Sequence, residues 1–320
     1  MIARRASLAG LAAAAAGSWP ARARRFATLV TAAPAGSSGD DIARSFARYL
    51  ENALMGPEIH VRNVPGDGGR AALLVLAAAP PSGATIGWIA TPVLPARAVD
   101  RSDPDLPSRL ILLGSVEREP IAFVASAADP LESVRDIVQR AGQDAGALPL
   151  GTPPPGSPPH LAALRLQAIT QTRLNIIPFP SAAAARQALL GGNVTAAALG
   201  LSDTIRALRD EKLVGLGIAA RKRAGILPDM PVLSEAGVPL AAWIRRGLAV
   251  PADTPREIQE PLIAAARAVA ADPAFVAQAE MMGLLAAWSD GAAWTVQVEK
   301  ERAELTALWT ADPWLNASGQ

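Results

Sequence analysis

Apolar and polar positions follow two rhythms along this chain. Phe26-Ala27-Thr28-Leu29-Val30 reads as a strand, and Ile42, Phe46, Tyr49 and Leu50 then recur at i, i+4, i+7 and i+8, a single helical stripe. Between them lies Ala33-Pro34-Ala35-Gly36-Ser37-Ser38-Gly39-Asp40-Asp41, a loop of small residues that ends in a helix N-cap at Asp40 or Ser38. Residues 58–62 form a second strand, 63–69 a Gly-rich turn, 70–79 a helix stopped by Pro80-Pro81-Ser82-Gly83, and 84–90 a third strand ending at Thr91. Strand, helix, strand, helix, strand predicts a parallel sheet with covering helices.

Residues 92–109, rich in Pro and Asp, read as irregular. Strand-like runs at 110–116 and 121–125 lead into a second unit. It comprises a helix over 130–141, a strand over 147–151, a loop over 152–159 and a helix over 160–169. A strand over 174–179, a helix over 181–190 closed by Gly191-Gly192, and strands over 194–199 and 213–219 follow. After a Pro- and Gly-punctuated connection, 240–250 is extended and the rest helical, over 256–270, 273–282 and 290–310. Thr254-Pro255 makes a cap and first-turn pair, and Pro261 is expected to kink or break its helix. One α/β unit interrupted by another and closed by helices predicts two lobes, linked by crossing strands, with a cleft between them.

A length of 320 residues suits two domains, and a hydrophobic share of 50% is ample for their cores. The net charge of +1 argues against a nucleic-acid partner. With no cysteine, a disulfide framework or a Cys-ligated metal is impossible. Arg4-Arg5, an uncharged Ala-rich run from Leu8 to Ala16, and Pro20-Ala21-Arg22-Ala23 read as an export signal cut after Ala23, by the Sec or twin-arginine route. Its removal would take the net charge from +1 to −2. No later segment reads as transmembrane.

A loop of small residues before a helix turns unpaired N–H groups and the positive end of the helix dipole toward one spot, suited to a carboxylate or phosphate. The bland alternative is a loop that is Gly-rich because it must turn. His60 and His160 are the only histidines and lack metal-ligand spacing. Ser157 and His160 lie at i and i+3, but no Gly-x-Ser-x-Gly elbow frames the serine, so a hydrolase is only the rival reading. Arg70 opens a helix, either paired with Asp67 or aimed at a cleft. Arg245 and Arg246 sit on an extended segment, so at most one of them faces the cleft.

Four stretches then line up with one family. They are Pro34, Gly36, Ser37, Asp40 and Ala43-Arg44; Asn63, Pro65, Gly66, Gly68 and Gly69 followed by Pro81-Ser82-Gly83-Ala84-Thr85-Ile86; Pro154, Gly156, Ser157, His160 and Leu161; and Leu227-Pro228-Asp229 to Glu235-Ala236-Gly237. The sequence resembles the periplasmic substrate-binding proteins of tripartite tricarboxylate transporters, the Bug-type proteins. The resemblance runs through the mature chain and implies an α/β, two-lobed, type II periplasmic-binding-protein fold. Residues 1–23 would be the signal, 24–121 with 243–320 lobe 1, and 122–242 lobe 2. It implies capture of a small organic acid without chemistry on it, with no cofactor or metal, by a periplasmic monomer that feeds the membrane components of the transporter. A lobe reporting to a sensor is a further alternative. Departures fall at strand ends: Ser37 replaces a loop glycine, Phe179-Pro180-Ser181 a Tyr-Lys-Gly, Leu199-Gly200 an Asp-Asn, and Arg245-Arg246-Gly247 a Trp-x-Gly. The expected ligand residues are Gly36, Ser37, Ser38, Asp40, Thr91, Gly156, Ser157, His160, Phe179, Ser181 and Arg245.

Overall fold

The computed structural model describes residues 26–129, 131–144 and 146–315, so the export signal expected over 1–23 lies outside the described residues. The chain begins β1 (Phe26–Thr31), α1 (Ser38–Leu54), β2 (Glu58–Asn63), α2 (Arg70–Ala77), β3 (Thr85–Thr91) and α3 (Val93–Asp100). β1 runs parallel to β2 on one side and β3 on the other. One long strand, β4 (Leu110–Ser126), then leaves this sheet and enters the next. The two strand-like runs of the sequence are thus one strand; Glu117, Arg118, Glu119 and Pro120 interrupt the apolar pattern but not the backbone.

The second unit holds α4 (Val134–Gln143), β5 (Pro149–Thr152), α5 (Pro158–Thr170), β6 (Asn175–Pro178), α6 (Ala182–Leu190), β7 (Ala196–Gly200), α7 (Leu201–Arg209) and β8 (Leu213–Ile218). β5 is parallel to β6 and β7, while the second half of β4 is antiparallel to β7 and β8. β9 (Trp243–Pro251) returns to the first sheet, antiparallel to both β3 and β4. α8 (Arg256–Ala271), α9 (Pro273–Met281), β10 (Leu285–Asp290) and α10 (Gly291–Ala311) complete the chain, with β10 on the free side of β4. Among the described residues no single helix is long and apolar enough to cross a membrane.

Helices cover both faces of each sheet. On the first, Ile42, Phe46 and Leu50 of α1 pack with Leu262 and Ala266 of α8, and Phe46 stacks on Trp88 at 4.1 Å. Its other face joins Leu73 and Leu76 of α2, Leu94 and Ala98 of α3, and Trp294 and Val298 of α10. Ala96 of α3, Leu161 and Leu164 of α5, and Leu305 and Trp314 form a cluster across the two units. These contacts explain α3, where the sequence reads as irregular: Leu94, Ala96 and Ala98 are buried by partners far along the chain.

Three local expectations need correction. The N-cap of α1 is Ser37, whose hydroxyl accepts from Asp40 N, not Ser38 or Asp40. α8 starts after Pro255 without a side-chain cap, and the Thr254 hydroxyl is buried without a partner. α8 also runs unbroken through Pro261, where only one i→i−4 bond is lost.

Candidate ligand cleft

In open α/β sheets, ligands sit beyond the carboxyl ends of the parallel strands. Here those ends carry the loops after β1, β2 and β3 from one sheet and after β5, β6 and β7 from the other.

The loop after β1 is tied from within. Gly36 takes φ +75°, a left-handed conformation natural to glycine, and nothing lies within 4 Å of where a Cβ would stand. Its N–H donates to Asp40 Oδ2 at 2.9 Å, and Ser37 Oγ donates to Pro34 O at 2.7 Å. Asp40 also accepts from Arg44 Nε at 3.0 Å and Asn63 Nδ2 at 2.8 Å, while Asn63 donates to Ala33 O at 2.8 Å. Burial alone would raise the Asp40 pKa, but these donors outweigh it and hold the carboxyl below its ordinary value. Asp40 therefore locks the loop and joins the first two sequence motifs through Asn63.

The loop after β5 mirrors it. Gly156 takes φ +72°, Ser157 stands at the N-cap of α5, and Pro158-Pro159 fill the first turn. Gly156 N donates to His160 Nδ1 at 3.4 Å. Burial, reinforced by the charge of Arg97, pulls the His160 pKa down to about 4, so the ring is neutral at pH 7 and its Nδ1 accepts. Ser157 Oγ is buried and has no hydrogen-bond partner, His160 included. That arrangement lacks the serine–base bond that nucleophilic catalysis needs.

Arg97 of α3 lies between the loops of the two units. A Cβ on Gly68 or on Gly156 would collide with its guanidinium. Its Nη2 donates to Pro155 O at 3.0 Å and pairs with Asp100 Oδ2 at 2.6 Å, with the two side chains only 1% and 0% exposed. Trp314 Nε1 donates to the same Asp100 oxygen at 2.7 Å. Burial outweighs the mutual attraction of the pair, drawing Arg97 down and pushing Asp100 up from their ordinary pKa values. Sequence reading misses Arg97; its one local signal is the Arg97–Asp100 spacing of i, i+3 on a helix.

At the crossing strands a second ion cluster forms. Arg246 reaches Glu117 at 3.2 Å and Glu119 at 2.6 Å, and Glu119 accepts from Ser202 N and Oγ at 2.8 and 2.7 Å. Asp203, at the start of α7, is buried, and the Ser38 hydroxyl and the charges of Arg186 and Arg246 favour its charged form. Burial raises Glu117 to about 7 and Asp203 to about 6, helped in both by the charge of Glu119.

Of the expected ligand residues, Gly36, Ser37, Ser38, Gly156 and Ser157 lie at helix starts on the strand-end loops. Asp40 and His160 serve those loops as acceptors. Thr91 is fully buried, and its hydroxyl accepts from Trp294 Nε1 at 3.2 Å. Ser181 caps α6 by accepting from Ala184 N, and Phe179 packs against the core beside α6. Arg245 projects to the opposite face from Arg246, alongside its register partner Arg118. Arg70 pairs with Asp103 at 3.1 Å and Asp67 at 3.8 Å.

Two α/β units joined by crossing strands, with glycine- and serine-bearing helix starts on the loops between them, define a two-lobed solute-binding protein. Residues 42–302 match the model of the tripartite tricarboxylate transporter family receptor, and the chain belongs to that family. A UPF0065 protein of Bordetella bronchiseptica is 28% identical over 292 residues, covering 91% of this chain and 85% of that one. The structure of the periplasmic binding protein BugD superposes with a TM-score of 0.79 at 23% identity, over 90% of this chain and 97% of its own. Rpa4515 of R. palustris, solved with adipate, superposes at 0.82 and 23% identity, over 92% and 98%. The family is one of substrate-binding receptors, not enzymes.

Proposed function

We propose that the protein is exported to the periplasm and captures a small carboxylate between its lobes. As a monomer, it then delivers the acid to the membrane components of a tripartite tricarboxylate-type transporter. The lobes in this reading are 24–121 with 243–320, and 122–242. The observation that carries the ligand site is the buried, unpartnered Ser157 hydroxyl at the N-terminus of α5, a donor beside a helix dipole. The start of α1, with Gly36, Ser37 and Ser38, offers a second such terminus. The adipate bound by Rpa4515 supports a dicarboxylate.

Calorimetry with adipate, malate and citrate tests the reading. A hydrogen bond to a charged group contributes about 1.5–3 kcal/mol, so Ser157→Ala should weaken the acid that binds best by roughly 5- to 150-fold. Gly36→Val should do worse, since a β-branched residue strains a positive φ and fills the approach to the backbone. Wild-type affinity in both variants would overturn the assignment of the acid to these helix starts. N-terminal sequencing of periplasmic material should find a chain starting near Arg24.

A further inference from the structure

The crossing strands have a second face, turned away from Glu117, Glu119 and Arg246. On it, Arg118 of β4 and Arg245 of β9 stand directly opposite each other in the antiparallel register. Like charges so placed repel. Neither guanidinium has an ion pair or hydrogen bond among the described residues, and Arg118 Nε is buried without a partner. Arg118 instead lies over the Trp243 ring, 4.6 Å from its centroid. Burial, then the charges of Arg245 and Arg221, pull Arg118 below an ordinary arginine pKa.

The two arginines border a cavity of about 730 Å³, shared with Arg221 and Lys222 from the loop after β8 and with Lys300 of α10. Glu280, Glu301 and Glu304 also line it. Of these, Glu304 is taken by Arg165, and Glu301 accepts from Gln297, with burial raising its pKa and the charges of Arg165 and Arg245 holding it back. Basic residues on the cavity wall nevertheless outnumber these three carboxylates, which leaves it an excess of positive charge.

We propose that this cavity is a second anion site, separate from the cleft, for a small polyanion with at least two carboxylate or phosphate groups. Its volume suits a small molecule. Each guanidinium presents a planar fork that grips a carboxylate or phosphate in a bidentate manner, and two forks side by side call for two anionic groups. Trp243 supplies a flat wall. Because α10 and the loop after β8 come from the two different units, an occupant spans both, and its binding is coupled to their relative position.

Pyrophosphate and citrate are the probes, titrated calorimetrically into the full mature chain. One or both should bind, the preferred one telling a phosphate source from a carboxylate source. Binding should weaken at least tenfold in the Arg118→Gln/Arg245→Gln double variant and persist in Gly36→Val. Equal affinity in the double variant and wild type, or no binding of either probe, would overturn the proposal. Should the double variant fail to fold, phenylglyoxal labelling of the wild type gives the answer. The preferred probe should slow modification of Arg118 and Arg245 at least fivefold and leave exposed Arg48 unaffected, and no protection of the pair overturns the proposal. Failure of the cleft reading looks different: the carboxylate binding that remains in the Arg118→Gln/Arg245→Gln double variant would then be indifferent to Gly36→Val and Ser157→Ala.

Discussion

Arg97 and Asp100 hold each other inside the protein, because neither charge has access to water. Removing one partner of a buried pair leaves the other uncompensated, at a cost of about 3–5 kcal/mol. Arg97→Ala should therefore lower unfolding free energy by about that amount in urea titrations, far more than loss of a surface pair. His160 gives a pH signature. Its folded pKa of about 4 lies below the ordinary 6.5, so the unfolded chain takes up the proton first. Stability from the neutral ring is complete above about pH 6.5 and is lost as pH falls toward 4. His160→Gln should flatten that loss in melting curves taken from pH 7 to pH 4; an unchanged slope would mean the ring titrates normally.

At the scale of elements, the start of α1 depends on a residue from another strand. Asn63, at the end of β2, donates to Ala33 O and Asp40 and accepts from Arg44 Nη2 at 3.0 Å. Asn63→Ala leaves a buried carboxylate and a carbonyl short of donors, so a loss of about 1–3 kcal/mol is expected in equilibrium unfolding. Helices with their own stripe, such as α1, are legible from the sequence because periodicity is local. α3 is not: Leu94, Ala96 and Ala98 find partners in α5, α10 and Trp314, hundreds of residues away or in the other unit. α7 and β10 are likewise missing from the sequence reading. α7 buries Leu201, Thr204 and Ile205, and β10 exists only as an added edge to β4.

Across the whole molecule, the two units touch through Arg97–Pro155, Arg165–Glu304 and Gln167–Asp312. Ligand-linked opening must break such contacts, so small-angle scattering should show a larger radius of gyration in ligand-free protein than with the bound acid. Identical curves would argue for a fixed cleft. The carboxylates at the crossing add a second pH effect. Glu117 has a raised folded pKa, about 7 against 4.5, so the folded state holds its proton longer and stability falls as pH rises from about 4.5 to 7. Glu117→Gln lacks this loss. Its stability deficit relative to wild type should shrink between pH 5 and pH 8 in parallel denaturation experiments, where the His160 effect is common to both and cancels.

The two α/β units, the strands that pass between them, the Gly- and Ser-bearing loops at helix starts, and the opposite facing of Arg245 and Arg246 are all legible in the order of residues. Each follows from local rules: apolar periodicity, turn chemistry and strand alternation. That Arg97 lies between Gly68 and Gly156, that Thr91 is taken by Trp294, and that Arg245 stands beside Arg118 over a basic cavity emerges only from the folded chain. Those outcomes depend on strand register and on which helices from distant segments cover which face, and no window of neighbouring residues carries that information.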